Sequence, residues 1–267
     1  MLRSVYIGFD PREAAAFAVA RNSVNRNLAR RQIPVMGLVL SKLIDEGLYT
    51  RPTEMRVNSD GKRQFIDTLS VSDNYKGWLS TEHANVRFLV PHLARLQSRV
   101  GFKPLNEKAT RFVEGSAGWA LFMDGDMLAR TDVSRPAERF ESGKAIYCVH
   151  HNHVPTSGVK MDGQVQTQYG RKNWSSFVYF NCDHPSNRNL TLEMVNTLPG
   201  RDLHRFCWLQ DDEIGELGPE WNYLVGHSDP AVVPKVIHFT DGVPDMPGYE
   251  DAPFADEWRR ELASWAA

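Results

Sequence analysis

The chain has 267 residues, with 31 Lys+Arg against 33 Asp+Glu and a formal net charge of −2. At 42% hydrophobic and 24% charged it has the make-up of a folded globular protein, long enough for one sizeable α/β domain. The near-neutral balance disfavours a general electrostatic grip on a nucleic-acid backbone. Arg3, Asp10, Arg12, Glu13, Arg21 and Arg26 interrupt the apolar residues of the first segment, which therefore reads as neither a signal peptide nor a membrane span. Cys148, Cys182 and Cys207 form no C-x-x-C pair. That pattern argues against a disulfide framework or a structural zinc site and for a reducing cytoplasm.

Val5 to Phe9 reads as a buried strand that stops at Asp10-Pro11-Arg12-Glu13. Asp10 is a natural N-cap, Pro11 suits the first helical position and Glu13 has capping-box spacing. Phe17, Ala20, Val24 and Leu28 then recur at helical spacing, and Ile33 to Leu40 is a second apolar run. Strand-helix-strand is how a parallel, nucleotide-binding sheet opens. Met55 to Val57 and Lys62 to Phe65 flank an Asp60-Gly61 turn, the pattern of a hairpin. Thr81 to Arg99 reads as helix, with Pro91 requiring a kink or the first turn of a second helix. Gly118 to Met123, Ala145 to Val149, Phe177 to Phe180 and Val236 to Phe239 are further strand candidates. His150 to Gly170 is polar and Gly-containing and reads as a long loop. Asn187 to Leu198 reads as one helix with Leu190, Met194 and Leu198 in register. Phe254, Trp258, Leu262 and Trp265 predict an amphipathic C-terminal helix docked on the domain.

Asp124-Gly125-Asp126 is the most informative triplet. Two carboxylates follow a buried strand, and ligands of open α/β sheets bind at the carboxyl ends of strands. Such a pair can hold a divalent cation that clamps phosphates, although Asp-Gly-Asp is also common turn chemistry. His238 lies in a later short apolar run, where a lone histidine is more often a core or capping residue. An imidazole joined to two carboxylates suits Mn²⁺ better than Mg²⁺. His150-His151-x-His153 has metal-ligand spacing, but an exposed loop is the commoner meaning of such a run. Among the tryptophans, Trp119 reads as core, while Trp174 and Trp221 are the better candidates to stack on a sugar ring.

Six short segments in order resemble the retaining nucleotide-sugar glycosyltransferases of the glycogenin and lipopolysaccharide-galactosyltransferase type. They are the opening strand with Asp10, Asn85 to Pro91, Leu121 to Asp126, Ser175 to Asn181, Asp211 to Ile214, and Val236 to Gly242. The resemblance implies an α/β fold: one Rossmann-like GT-A type domain over 1–267 with a mostly parallel central sheet and a C-terminal amphipathic helix. About 1–130 would bind the nucleotide sugar and about 131–267 would face the acceptor. It makes Asp124, Asp126 and His238 the ligands of Mn²⁺ (or Mg²⁺). It places Asp10, with Arg12 beside it, near the nucleoside and Arg87 on the diphosphate and donor sugar. Ser175 and Ser176, preceded by Trp174, face the sugar. Asp211 lies beside the reacting carbon and Asp212 follows it. The chain departs from the family pattern at Pro244, where a lysine usually contacts the leaving diphosphate, and at Trp174 and Asp212. Lys235, Arg171 or Lys172 could supply the missing positive charge.

The function so implied is metal-dependent transfer of a sugar from a nucleotide sugar, most simply a UDP-sugar, to a hydroxyl of a glycan, protein or small molecule, with retention. Asp211 would stabilise an oxocarbenium-like carbon or act as nucleophile, and His150 to Gly170 would close over the donor. A nucleotidyltransferase or nucleotide-sugar hydrolase, and a non-catalytic nucleotide-sugar-binding module, are the competing readings. The expected setting is cytoplasmic.

Overall fold

The computed structural model describes residues 1–57, 63–72, 75–79, 81–100, 116–151, 159–160, 164–165, 171 and 173–266. In chain order the strands and α-helices are β1 (Leu2–Phe9), α1 (Ala14–Asn27), β2 (Val35–Val39), α2 (Leu40–Asp45), β3 (Thr53–Val57), β4 (Arg63–Ser72), β5 (Tyr75–Leu79) and α3 (Val90–Val100). They continue with β6 (Trp119–Met123), β7 (Met127–Ala129), β8 (Ile146–Val149), β9 (Val159–Lys160), β10 (Gln164–Val165), β11 (Phe177–Asn181), α4 (Pro185–Asn189), α5 (Leu192–Thr197) and α6 (Gly200–His204). The last are β12 (Ile214–Leu217), β13 (Tyr223–Leu224), β14 (Val236–His238) and α7 (Ala255–Ala266).

The central sheet has the order β12-β8-β11-β6-β1-β2. Its neighbours pair in parallel except around β11, which runs antiparallel to both β6 and β8. Strands β6, β8 and β11 are buried at every residue, which is why each reads as an unbroken apolar run. Alternate residues face opposite sides. Ala120, Phe122, Ile146, Cys148, Val178 and Phe180 join one core with Phe88, Leu89, Ala94 and Leu203. Trp119, Leu121, Met123, Tyr147, Phe177 and Tyr179 join the other with Ala20 and Val24 of α1 and Leu28 just after it. A third cluster sets Ala16 and Val19 of α1 against Leu128, Ile237, Phe239 and Trp258, which docks α7.

Two smaller sheets flank this layer. β13-β14-β7 carries the segment after Asp126 alongside His238, with Met127 and His238 as register partners. β3-β4-β5 extends the expected hairpin by a third strand. The Asp60-Gly61 turn itself lies outside the described residues.

Several elements differ from the sequence expectation for local reasons. The Thr81–Arg99 segment is a turn, a 3-10 stretch over Val86–Leu89, and then α3, with Pro91 in the first turn of α3 where its missing N–H is harmless. Asn187 to Leu198 is two short helices. Leu190 is extended, and Thr191 restarts the chain as N-cap of α5 by accepting from Met194 N. β9 and β10 pair within the stretch read as loop, whose other residues between 152 and 170 lie outside the described ones. On α7, Trp265 is exposed rather than docked, and Glu261 is the buried polar residue of that face.

Candidate active site

Most of the residues singled out in the sequence, though not Asp211 and Asp212, converge where β1 and β6 end. Gly125 passes so close to β1 that a Cβ there would stand 2.5 Å from the carbonyl oxygen of Gly8, so only glycine fits. The Asp124 amide donates to Ser176 O (2.9 Å) and the Phe239 amide to Asp126 O (3.0 Å). The Asp-Gly-Asp turn is thereby tied to the start of β11 and to the end of β14. One ligand atom each from Asp124, Asp126 and His238 lie within 4.8 Å of one another. Oxygen and nitrogen ligands stand about 2.0–2.6 Å from a divalent ion, so this spacing suits a shared one.

The charge balance fits the same group. Burial, reinforced by Asp126 and Asp10, pushes the Glu13 carboxyl up to about 8, with Arg12 opposing and Asp124 adding. Glu13 is thereby protonated near neutrality, and the three aspartates Asp10, Asp124 and Asp126 still outnumber the two guanidiniums that face them, Arg12 and Arg87. His238 is buried, with Nε2 3.4 Å from Asp126 Oδ1 and Nδ1 2.9 Å from Asn222 Oδ1.

Arg87 is held from four sides. Its Nε donates to Ala84 O (2.7 Å), Nη1 to Ser175 O (2.8 Å), and Nη2 lies 2.8 Å from Asp124 Oδ1. Its guanidinium also sits over the Phe122 ring at 4.7 Å. A fixed guanidinium beside a cation site is suited to a diphosphate. Asp10 caps the 3-10 turn Pro11–Glu13 through the Arg12 amide and pairs with the Arg12 guanidinium at 2.6 Å. Burial raises the Asp10 carboxyl, but the Arg12 hydrogen bonds outweigh it and hold Asp10 below the ordinary carboxylate value. His83 Nδ1 stands 3.8 Å from Asp10 Oδ2, and burial lowers His83 against the pull of Asp10 and Glu82.

Ser175 and Ser176 are both buried. Ser175 Oγ is 2.7 Å from His204 Nδ1. Trp174 stacks flat on His150, with centroids 4.0 Å apart and planes 1° off parallel, and donates from Nε1 to His151 O. His150 is therefore a stacking partner of Trp174, while His153 and Lys172 lie outside the described residues. Trp221 is buried, with the Lys235 ammonium over its ring at 4.9 Å.

Asp211 and Asp212 are not brought to this cluster. They precede β12, whose first residue Ile214 is level with Ile146, Phe180 and Ala120, at the end of the sheet where β6 begins. The Asp211 side chain is 91% exposed and pairs with Arg171. Lys235 pairs with Glu220 at 3.1 Å, and Pro244 is buried. Neither Arg171 nor Lys235 is thus seen at the cluster of Asp124, Asp126 and His238. Sequence reading missed Asn222, His204 and His83 and gave Glu13 only a capping role, since their neighbours at the site come from chain crossings far away in sequence.

No protein-family model matches the chain. Among solved structures, the apo WbbM bifunctional glycosyltransferase superposes over 97% of this chain with a TM-score of 0.56 and 15% identity. The glycosyltransferase GlyE of Streptococcus pneumoniae TIGR4 superposes over 100% with a TM-score of 0.54 and 11% identity. The chain spans 49% and 62% of the lengths of those two chains. At such identities the likeness shows the fold, which is the α/β glycosyltransferase fold that the motif order implied. Protein CDI of Arabidopsis thaliana is 37% identical over 269 residues, covering 98% of this chain and 86% of that protein. Identity of that degree along nearly the whole length makes the chain a member of the Protein CDI family.

Proposed function

We propose that the protein is a glycosyltransferase that takes a sugar from a nucleotide sugar, a UDP-sugar, and delivers it with retention to an acceptor hydroxyl. The observation that carries this reading is the convergence of Asp124, Asp126 and His238 at the ends of β6 and β14, on a fold shared with glycosyltransferases. A divalent cation bound there would supply Lewis-acid stabilisation of the leaving nucleoside diphosphate. The chain's own residues do the rest. Asp124, Asp126 and His238 would hold the ion. Arg87, fixed by Ala84 and Ser175, would take the phosphate oxygens in a planar grip without reorganising. Asp10 and His83, side by side at the end of β1, would meet the base, and Trp174, stacked on His150, would border the sugar. Ser175 and Ser176 are buried beside it, their carbonyl oxygens accepting from Arg87 and from the Asp124 amide.

Calorimetric titration with UDP, UDP-glucose and UDP-galactose, with Mn²⁺ and with chelator, tests this. Manganese-dependent binding in the wild type and its loss in Asp126→Ala are expected. Absence of nucleotide binding would overturn the reading. Release of nucleoside monophosphate instead of diphosphate on turnover would move it to phosphoryl chemistry, the competing enzyme class.

A further inference from the structure

Four residues behind the cation cluster form a hydrogen-bonded line whose proton positions can be deduced. Ser176 Oγ stands 2.7 Å from the carbonyl oxygen of Asn173. A carbonyl only accepts, so the single hydroxyl hydrogen of Ser176 is spent there. The Asn222 amide atom nearest Ser176 lies 2.8 Å from that Oγ and 3.5 Å from the same carbonyl. Both neighbours now offer only lone pairs, so this atom is the NH₂ group, and the flipped amide is excluded. Asn222 Oδ1 therefore faces His238 Nδ1, at 2.9 Å. An acceptor oxygen there requires the proton of the neutral imidazole to sit on Nδ1. Nε2 is left as a bare lone pair on the side of Asp126. Asn222 and His238 are both buried, Asn222 completely, so solvent does not compete for these bonds.

We propose that Asn222 is a positioning residue that selects the Nδ1–H tautomer of His238, the form whose Nε2 can ligate a divalent ion. The inference rests on the cation site of the proposed function, and it names what makes that site ready before any ion arrives. A metal-bound histidine commonly donates its second ring N–H to an oxygen acceptor, and loss of that acceptor weakens metal affinity about 10–100-fold. Here the acceptor is an amide, itself oriented by a serine, which is oriented by a backbone carbonyl. Asn173 carries that carbonyl in a left-handed conformation, at φ 63°. The line therefore begins in the same turn that holds Trp174, so the sugar-facing segment and the histidine ligand are set by one network.

The test is two-bond ¹H–¹⁵N NMR on the full-length protein labelled at histidine, with chelator present, His238 being assigned by its disappearance in His238→Gln. The wild type should show neutral His238 protonated at Nδ1. Asn222→Ala should show a tautomer mixture and an Mn²⁺ affinity reduced by about 10–100-fold by calorimetry. Asn222→Asp, which restores an acceptor oxygen, should recover the Nδ1–H tautomer. An Nε2–H tautomer in the wild type would overturn the proposal, as would an unchanged tautomer and unchanged Mn²⁺ affinity in Asn222→Ala. If Asn222→Ala does not fold, Ser176→Ala carries the test, because it frees the amide to flip and should mix the tautomers. Failure of the wild type to bind Mn²⁺ would instead sink the cation site, and the tautomer measurement would still decide the role of Asn222.

Discussion

At the residue scale the site is made by close approach and by hydrogen bonds to buried groups. Gly125 is the sharpest case, since any side chain there would meet the β1 backbone at Gly8 and not a flexible neighbour. Gly125→Ala is expected to destabilise the fold by about 1–3 kcal/mol through forced backbone displacement. It should also weaken nucleotide binding, because Asp124 and Asp126 move with it; urea unfolding and calorimetry on the same sample check both. Asp10 gives a pH dependence whose sign is fixed. Its carboxyl is held below the ordinary value in the folded protein, so its contribution is present above pH about 4 and is lost as pH falls through the depressed folded value. Asp10→Asn should therefore be less stable than wild type near neutrality. The gap in urea midpoints should close on acidification below about pH 4. A gap that stays constant with pH would show that the Asp10–Arg12 pair is not its source.

At the element scale one buried ion pair fastens the β3-β4-β5 sheet to the body of the molecule. Asp67 accepts from Arg51 Nε (3.1 Å) and Nη2 (2.7 Å), from Ser70 Oγ, and from the Gly200 amide (2.9 Å) at the start of α6. Arg51 also donates to Val195 O on α5. Both side chains are buried, and a Cβ on Gly200 would stand 2.8 Å from Asp67 Oδ2. Asp67→Ala leaves the Arg51 charge buried without its carboxylate and is expected to cost about 3–5 kcal/mol. Because α6 ends at His204, hydrogen bonded to Ser175, the same substitution should raise hydrogen exchange around residues 200–204 more than in α7. The hairpin of β3 and β4 was legible from the Asp60-Gly61 turn signal between them. Its docking was not, because Asp67 and Gly200 are 133 residues apart in sequence.

At the scale of the whole molecule, α7 closes the fold. Trp258 is almost fully buried among Val19, Leu128, Ile237 and Phe239, on elements drawn from both halves of the chain. Glu261 adds bonds to Asn22 and Arg26 of α1. Trp258→Ala is expected to lower stability by about 3–5 kcal/mol, measured by thermal or urea unfolding. Loss of β14 packing should follow, and with it weaker Mn²⁺ binding, since His238 ends that strand. Trp265→Ala, on the exposed side of the same helix, should change stability by less than about 0.5 kcal/mol. No helix among the described residues is long and apolar enough to cross a membrane.

The fully buried strands β6, β8 and β11 announced themselves as apolar runs because both faces of each are covered, and the Asp-Gly-Asp triplet marked where one of them stops. Periodicity also carried α1 and α7, and a capping aspartate marked the turn before α1. These are local signals, written in residues a few positions apart. Short elements such as β7, β12 and β13 carry too few residues for a period, so pairing partners alone define them. The approach of Asp124, Asp126 and His238 was implied by family resemblance but required β14 to pair against β7. The place of Asp211 at the other end of the sheet followed from the register of β12 on β8, which no spacing in the sequence states. The sequence by itself determined the buried strands, helices α1 and α7 and which carboxylates end a strand, because hydration and backbone geometry act on neighbouring residues. Only the tertiary structure decided the partners of His238 and of Asp67, because a hydrogen bond needs atoms within about 3 Å and the chain brings those atoms together only by folding.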